Sequence, residues 1–295
     1  GIHAGLVEAS SQYVYFVAQF SKEFESCIID EDHKQAIIQF GESDGTPIIA
    51  RVGISVVSED NARMNLENDV KSFDFDAIHA QARSKWIEEL GTIIVESNNK
   101  DNLKNFYTAM YHSKIIPNIV SDVNGQYRRH DMSIGEQKNE NEHYSTFSLW
   151  DTFRAWNPLM TLINTDLVNH MIRSFMDVYD ASGELPIWPL SAGETGTMIG
   201  YHSVSVIADA YLKGILSEDF DIQLAYDAMK ISSDKNKKGS DYYIKYGFIP
   251  SNIKRESVSC LLEYAYDDWC IAQIAEKLGY NADAERYIER SLSYI

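Results

Sequence analysis

A segment at 147–159, FSLWDTFRAWNPL, places a carboxylate between an indole and a guanidinium. Asp151 follows Trp150 directly and precedes Arg154 by three residues. A carboxylate accepts hydrogen bonds from sugar hydroxyls, and an indole ring packs against the C–H face of a sugar, so the segment is predicted to bind a sugar. The alternative is structural: Asp151 would lie at a helix start and pair with Arg154.

A second candidate segment, LPIWPLSAGETGTMIGYH at 185–202, carries Glu194 between Gly193 and Gly196. Glycines allow a backbone to approach a ligand closely, and a glutamate in an aromatic loop can bind hydroxyls or act as a general acid. The structural alternative is that Glu194 satisfies free N–H groups at a helix start. His202, at the end of the segment, is interpreted as a structural hydrogen-bonding residue.

The third segment, ESVSCLLEYAYDDWCIAQ at 256–273, has Glu263 and Asp267 one helical turn apart, with Asp268 next to them. Two such carboxylates repel each other unless a cation or a ligand lies between them. The adjacent aspartates resemble the metal-binding acids of helical isoprenoid enzymes, but Ile271 stands where a third oxygen ligand would be needed. The favoured hypothesis is that these acids bond to neighbouring helix ends or to arginines.

Composition argues against several classes of function. The net charge of −18, from 44 acidic and 26 basic side chains, repels phosphate backbones and anionic lipids, which argues against nucleic-acid and membrane-surface binding. The sequence contains no run of about 18 apolar residues, which is the length that a helix needs to span a bilayer. The three cysteines are odd in number and widely spaced, which argues against a disulfide framework. The sequence contains no phosphate-loop, dinucleotide-binding or nucleophile-elbow motif.

Two regions differ in predicted secondary structure. Strands are predicted at 12–20, 35–40 and 47–57, and three strands cannot close a sandwich, so this part is interpreted as the end of a β domain. From residue 58 the pattern is helical, with a polar loop at 113–146. Helices are predicted at 58–70, 73–90 with Gly91 as the stop, 101–112, 148–163, 166–179, 204–215, 217–231, 256–278 and 282–295.

The helices are paired and joined by long loops, which favours an α/α barrel or solenoid. No short repeat of constant period supports a repeat array. The helices predicted after residue 100 are too few for a closed ring of six helical hairpins. The first residue is Gly1, and the last predicted helix has no stop signal before Ile295. The chain is therefore expected to be an internal part of a longer protein.

These segments resemble glycoside hydrolase family 92, the bacterial exo-acting α-mannosidases. The resemblance covers nearly the whole chain and follows the order of the family. Its matching stretches are YVYFVAQFSKEFE (13–25), RVGISVVSEDNARMNLE (51–67), FYTAMYHSKIIPNIVSDVNGQYR (106–128), FSLWDTFRAWNPLMTLI (147–163), LPIWPLSAGETGTMIGYHSVSVIADAYLKGI (185–215) and ESVSCLLEYAYDDWCIAQIAEKLG (256–279).

The resemblance implies a mainly α fold with a β part, in which the end of an N-terminal β-sandwich is followed by the first part of an (α/α)6 barrel. Residues 1–57 then correspond to the C-terminal strands of the sandwich domain. Residues 58–100 correspond to a helical linker, and residues 101–295 correspond to a partial (α/α)6 catalytic domain.

The resemblance also implies an activity, the calcium-dependent and inverting release of terminal α-linked mannose. This activity would be similar to that of an α-1,2-mannosidase. Inversion needs an acid and a base roughly 6.5–9.5 Å apart. The family carries this pair and part of its sugar and calcium site in the motifs Glu-Gly-Asn-x-Trp-Gln-Tyr, Gly-Asn-x-Asp-x-Gly-x-Met-Ser-Ala-Trp and Gly-Asn-Glu-Pro-Ser-His-His, and none of them occurs here. The catalytic residues and the calcium ligands are therefore expected beyond residue 295, and the isolated chain is expected to be inactive.

Within this chain, Asp151 resembles the sugar-hydroxyl ligand of the family's −1 subsite. Trp150 lies beside it, and Glu194 matches a characteristic family position, so these three residues are the predicted substrate-binding side chains. The implied substrate is a mannose-containing oligosaccharide or N-glycan, the implied location is exported, periplasmic or cell-surface-associated, and activity would require the C-terminal half. Two alternatives remain: a non-catalytic carbohydrate-binding or scaffold fragment, and an isoprenoid enzyme that uses Asp267 and Asp268.

Overall fold

The computed structural model describes residues 2–4, 12–30, 32, 35–137, 141–235 and 238–295. Its N-terminal strands are β1 (Ile2–Ala4), β2 (Gln12–Phe20), β3 (Ser26–Asp30), β4 (Gln35–Gln39) and β5 (Ala50–Ser55). Strands β1, β2 and β5 form an antiparallel sheet in that order, and β3 pairs with β4 as a separate hairpin. The three predicted strands are confirmed as β2, β4 and β5, and β1 and β3 were not predicted. Residues 1, 5–11, 31, 33 and 34 of the predicted N-terminal unit lie outside the described residues.

Helix α1 (Glu59–Asp69) covers one face of the sheet, and Gly53 in β5 allows the close approach. Ser58 caps the helix, because its hydroxyl accepts a hydrogen bond from the Asn61 amide at 3.1 Å. A Cβ atom on Gly53 would lie 2.2 Å from the Ala62 carbonyl oxygen and 2.6 Å from the Leu66 Cβ. Only a residue without a side chain lets α1 pack at this distance.

The opposite face of the sheet carries exposed apolar side chains. Val52 and Ile54 in β5 are 54% and 63% exposed, and Phe16 in β2, opposite Ile54, is 42% exposed. In the β3–β4 hairpin, Ile29 is 71% exposed. Alternation along β5 therefore places Gly53 and Ser55 on the face that α1 covers, and Val52 and Ile54 in solvent.

Two helices connect the sheet to the larger helical region, α2 (Phe75–Leu90) and α3 (Lys100–Ser113). Helix α2 ends at Gly91 as predicted, although Gly91 has φ −75° and therefore does not use the left-handed conformation of a typical glycine stop. The predicted loop at 113–146 contains four short strands: β6 (Asn118–Ile119), β7 (Gln126–Arg128), β8 (Ile134–Glu136) and β9 (Tyr144–Ser145). Strands of two or three residues are too short to show periodicity, and residues 138–140 of this segment lie outside the described residues.

The remaining elements are α4 (Leu149–Thr152), α5 (Trp156–Ile163), α6 (Thr165–Ser182), β10 (Pro189–Leu190), β11 (Gly193–Glu194), α7 (Ser203–Leu212), α8 (Ile222–Asp234), α9 (Ser240–Tyr246), α10 (Ser257–Leu278) and α11 (Asn281–Ser291). The single helix predicted at 148–163 is two helices. The helix predicted from residue 217 begins at Ile222, because Asp221 caps it through the Leu224 amide. The short helix α9 was not predicted.

The hydrophobic core lies around α10, which packs against α7, α8, α9 and α11. Phe175, Ile207, Met229 and Ile271 are all 0% exposed and come from four different helices. Helices α6, α7 and α10 contribute buried apolar side chains to this core, whereas Val258, Leu262 and Trp269 of α10 are exposed. No helix in the described part of the chain is both long and apolar enough to cross a bilayer.

Replacement of Gly53 by alanine is expected to lower the free energy of unfolding by about 1–3 kcal/mol, because the new methyl group meets backbone atoms of α1. Val52→Ala, on the exposed face of the same strand, is the matched control and is expected to cost clearly less. Denaturant unfolding of the three proteins measures the difference. Equal stability of Gly53→Ala and the unmodified chain would contradict the packing described here.

Candidate functional site

A buried carboxylate on α10 joins four elements of the helical region. Asp268 is 0% exposed and accepts hydrogen bonds from the hydroxyls of Ser233, Tyr201 and Tyr243 at 2.7, 2.7 and 2.9 Å. Arg290 of α11 places its Nε 2.7 Å from Asp268 Oδ2. Burial raises the pKa of Asp268, while the Arg290 charge and the three hydroxyl donors oppose that rise. These five side chains are called the Asp268 cluster.

The neighbouring carboxylate, Asp267, is also 0% exposed and faces a different set of partners. Its Oδ2 accepts the backbone N–H of Tyr201 at 2.8 Å, and its Oδ1 lies 2.9 Å from His202 Nδ1. The other ring nitrogen of His202, Nε2, lies 3.3 Å from Glu263 Oε2. The imidazole therefore stands between the two carboxylates that the sequence places one helical turn apart.

The charge state of His202 follows from these contacts. Burial lowers its pKa, but the charge of Asp267 and the hydrogen bonds of Asp267 and Glu263 outweigh burial and raise the pKa to about 9. Burial likewise raises the pKa of Glu263. The hydrogen bond and charge of His202 and the charge of Arg154 outweigh burial, so that the pKa of Glu263 lies below its usual value. His202 is thus an imidazolium at neutral pH, and it supplies the cation that the paired carboxylates need.

The space around the His202 ring is closed on both sides. Phe153 stacks on the ring with a centroid distance of 3.8 Å and an interplanar angle of 13°. Gly200 has φ +81°, and a Cβ atom there would lie 2.4 Å from His202 Nε2. The predicted glycine-rich segment therefore uses Gly200 to admit a histidine ring, and the prediction of His202 as a structural hydrogen-bonding residue is consistent with these contacts.

Glu263 connects this interior to the first candidate segment. Its Oε1 accepts hydrogen bonds from Trp150 Nε1 at 3.3 Å and from the Arg154 guanidinium at 2.5 Å. Arg154 is 54% exposed and lies over the rings of Phe153 and Trp150, with distances of 4.5 and 5.8 Å to the centroids. Arg154 therefore pairs with Glu263, rather than with Asp151 as the structural alternative for this segment held.

Asp151 lies in the first turn of the short helix α4 and is exposed. Ser148, the residue before α4, donates its hydroxyl proton to Asp151 Oδ2 and accepts a hydrogen bond from Trp188 Nε1 at 3.0 Å. Trp150 and Asp151 are thus oriented by different partners, Glu263 for the indole and Ser148 for the carboxylate. Ser148 was not identified from the sequence, because an isolated serine carries no signal of its partners.

Glu194 is in the two-residue strand β11, not at a helix start. Its carboxylate accepts the backbone N–H groups of Ile187 and Trp188 at 2.9 Å each and that of Gly196 at 2.7 Å. The structural alternative for Glu194 was right about N–H groups and wrong about the element. Through Trp188 and Ser148, the hairpin of β10 and β11 is connected to Asp151.

The hypothesis of a metal site at Asp267 and Asp268 is not supported. Both side chains are fully buried, and their oxygens are occupied by protein donors and cations. No group of three or more histidine, cysteine, aspartate or glutamate side chains in the described ranges could hold a metal ion. The alternative that the acids of this segment bond to arginines is correct for Asp268, which pairs with Arg290, and for Glu263, which pairs with Arg154.

A large groove lies elsewhere in the molecule. It has a volume of 1080 Å³ and lies between β5, α1 and the segment 119–125, and neither Trp150, Asp151 nor Glu194 lines it. Asp122 at its wall is held by the Ser55 hydroxyl at 2.7 Å and by the amides of Asn61 and Asn65 at 2.7 and 2.6 Å. These contacts join the sheet, α1 and the β6–β7 loop, so Asp122 and its partners in the groove wall hold these elements together.

The charge of His202 makes the stability of the chain depend on pH. Because its pKa is about 9 when folded and 6.5 without its partners, its contribution is fully present below pH 6.5 and is lost as the pH rises through 9. The free energy of unfolding is expected to fall by on the order of 3 kcal/mol over this range. Denaturant titrations at several pH values measure this fall.

His202→Gln is expected to lose this fall between pH 6.5 and 9, whereas His79→Gln, at an exposed histidine on α2, keeps it. A His202→Gln protein whose stability decreased with pH as steeply as that of the unmodified chain would show that the imidazolium is not the cause.

Comparisons with known proteins agree with the architecture. A curated relative, an uncharacterized secreted glycosidase from Arthroderma benhamiae, is 27% identical over 86% of this chain and 31% of its own length. A family GH92 α-mannosidase from Bacteroides thetaiotaomicron, also solved with mannoimidazole, is 35% identical, with a TM-score of 0.88 over 97% of this chain and 41% of that chain. An inverting family GH92 mannosidase from the same species is 29% identical, with a TM-score of 0.85 over 95% of this chain and 41% of that chain.

The chain thus spans less than half the length of these relatives. The predicted fold class is confirmed: a mainly α chain with a β part, which matches the end of the sandwich and the following helical barrel in the GH92 structures. The predicted division at residues 57 and 100 stays a prediction. The model of the glycosyl hydrolase family 92 catalytic domain matches residues 61–295, and the chain belongs to that family.

Proposed function

We propose that this chain forms part of a glycosidase that releases terminal α-linked mannose. The observation that carries the proposal is the match of residues 61–295 to the family 92 catalytic domain, together with the alignment of nearly the whole chain on a solved GH92 α-mannosidase and a solved GH92 inverting mannosidase. The substrate class is a mannose-containing oligosaccharide or N-glycan, and the complex of one neighbour with mannoimidazole supports a sugar-shaped site.

Trp150 and Asp151 are the residues proposed to contact the sugar. Asp151 is exposed and negatively charged, so it accepts hydrogen bonds from hydroxyl groups. The indole of Trp150 is held by Glu263 at its N–H edge, and Arg154 lies over one face of the ring. The opposite face is the one proposed to pack on a sugar ring. Both side chains have an orientation set by hydrogen bonds before any ligand arrives, which reduces the entropy lost on binding.

The finer chemistry is proposed from the family. Inversion is supported by the description of one neighbour as an inverting mannosidase, and α-1,2 linkage preference is an expectation. The acid and base are proposed to lie outside these 295 residues, because the family motifs that carry them are absent from the sequence. Activity would therefore require a C-terminal half. An exported location is supported by the secreted relative.

Calcium does not fit the residues that the structure describes. They offer no cluster of carboxylates and histidines suited to a metal ion, and the buried acids are already paired with His202, Arg290 and hydroxyl groups. A calcium requirement is therefore proposed only for a longer protein, with ligands outside this chain, and no step of the chemistry is assigned to the ion here.

The purified chain of residues 1–295 is expected to release no 4-nitrophenol from 4-nitrophenyl α-mannoside, because it lacks the acid and base of an inverting pair. A longer protein that includes the chain is expected to hydrolyse the same substrate. Comparable rates for the two proteins, with contamination excluded, would contradict the proposed location of the pair. An inactive longer protein would support a non-catalytic carbohydrate-binding role.

In the longer protein, Asp151→Ala is expected to lower kcat/KM by about 10- to 100-fold, the range typical of a lost hydrogen bond to a charged group. Asp166→Ala is the matched control, because Asp166 is likewise an exposed aspartate in the first turn of a helix. Steady-state kinetics with the aryl mannoside compare the two. Equal losses in both variants would remove the special role of Asp151.

A further inference from the structure

We propose that Glu194, Trp188 and Ser148 are positioning residues that orient the carboxylate of Asp151 through a directed chain of hydrogen bonds. The inference rests on the proposed function, because it concerns the side chain taken there to bind the sugar. It assigns Glu194 a role other than the sugar contact expected from the sequence. It also assigns a role to Ser148, which no motif distinguished.

Glu194 is committed to the backbone of its own hairpin. Its two oxygens accept three N–H groups at 2.7–2.9 Å, from Ile187, Trp188 and Gly196. Hydrogen bonds to an ionised acceptor are stronger than neutral ones, so these three bonds hold the turn closed. The carboxylate, although exposed, therefore holds the loop, and its effect on Asp151 passes through Trp188.

The main chain of Trp188 is held on both sides. Its N–H is donated to Glu194, and its carbonyl oxygen accepts the Thr195 hydroxyl at 2.8 Å and the Thr195 amide at 3.3 Å. The turn between β10 and β11 includes Ser191 in the left-handed region, at φ +52°, and the Ser191 carbonyl accepts the Ser145 hydroxyl at 2.9 Å. The backbone that carries the indole is thus fixed from both strands.

The direction of the remaining bonds follows from the chemistry of the groups. An indole nitrogen can only donate, and Trp188 Nε1 lies 3.0 Å from the Ser148 oxygen. A serine hydroxyl has one proton, and Ser148 donates it to Asp151 Oδ2. Ser148 makes no side-chain capping bond to α4, so its hydroxyl is not needed to start that helix.

This series of hydrogen bonds leaves Asp151 with one carboxylate oxygen that accepts a hydrogen bond and one that is available to a ligand. Oδ2 accepts from Ser148, whereas Oδ1 accepts no hydrogen bond from any residue in the described ranges. Since Asp151 is exposed, Oδ1 is presented to solvent at a defined orientation. An acceptor held in place before binding loses less entropy when a hydroxyl group binds to it.

The first test uses the 295-residue chain and no substrate. Hydrogen exchange of the Trp188 indole proton, followed by NMR, is expected to be about tenfold faster or more in Ser148→Ala than in the unmodified chain. Ser148→Thr, which keeps the hydroxyl, is expected to restore the slow rate. Ser182→Ala, at the end of α6, is the control and is expected to leave it unchanged. Equal exchange in Ser148→Ala and the unmodified chain would overturn the proposed chain of hydrogen bonds.

The second test uses a longer, active protein and a double-mutant cycle. Ser148→Ala is expected to lower kcat/KM by about tenfold, and Ser148→Thr to restore it. In an Asp151→Ala background, Ser148→Ala is expected to cause no further loss, because the residue that it positions is already gone. A purely structural role of Ser148 would lower kcat/KM equally in both backgrounds.

The outcomes separate the two proposals. A protein in which Asp151→Ala is harmful and Ser148→Ala is harmless, or in which the two losses multiply, overturns the positioning role and leaves the proposed function intact. A protein without mannosidase activity, or insensitive to Asp151→Ala, contradicts the proposed function and with it the positioning of a sugar ligand. The exchange experiment still decides whether the chain of hydrogen bonds exists.

Discussion

Two adjacent buried carboxylates on one helix are the constraint on which the helical region depends. Asp267 and Asp268 are both fully buried on α10, and a buried charge is costly unless cations and donors surround it. Because successive side chains on a helix point about 100° apart, the two acids face different neighbours. Asp268 is satisfied by α8, α9, α11 and the Tyr201 hydroxyl, and Asp267 is satisfied by the Tyr201 backbone N–H and the His202 side chain just before α7.

The same constraint reaches the candidate site. The charge of Asp267 holds His202 as an imidazolium, His202 pairs with Glu263, and Glu263 holds the edges of Trp150 and Arg154. Asp151, one residue away along the chain, is instead oriented from the β10–β11 hairpin through Ser148. Two neighbouring side chains are therefore set by two independent parts of the fold, which is how a rigid scaffold defines a small binding surface.

The buried acids of α10 are paired, whereas one face of the sheet is not covered by any described residue. Asp267 and Asp268 find donors and cations among the described residues, beside the hydrophobic core around α10. The free face of the β1–β2–β5 sheet instead exposes Phe16, Val52 and Ile54. In the family 92 relatives the matching region is less than half of a longer chain, which agrees with a proposed activity that this chain does not perform alone.

The sequence by itself determined three of the N-terminal strands, most of the helices and the family, because periodicity and turn residues act over short distances and the matching stretches are distributed along nearly the whole chain. It also identified the acids of α10 and their need for a cation. Only the tertiary structure decided that the cation is His202, that Arg154 pairs with Glu263, and that Glu194 closes a hairpin. His202 lies 65 residues from Asp267 and Arg154 lies 109 residues from Glu263, and no local pattern encodes which distant side chains the packing brings into contact. The Glu194 partners are only 2 to 7 residues away, but the sequence does not show which backbone N–H groups the folded turn directs at the carboxylate.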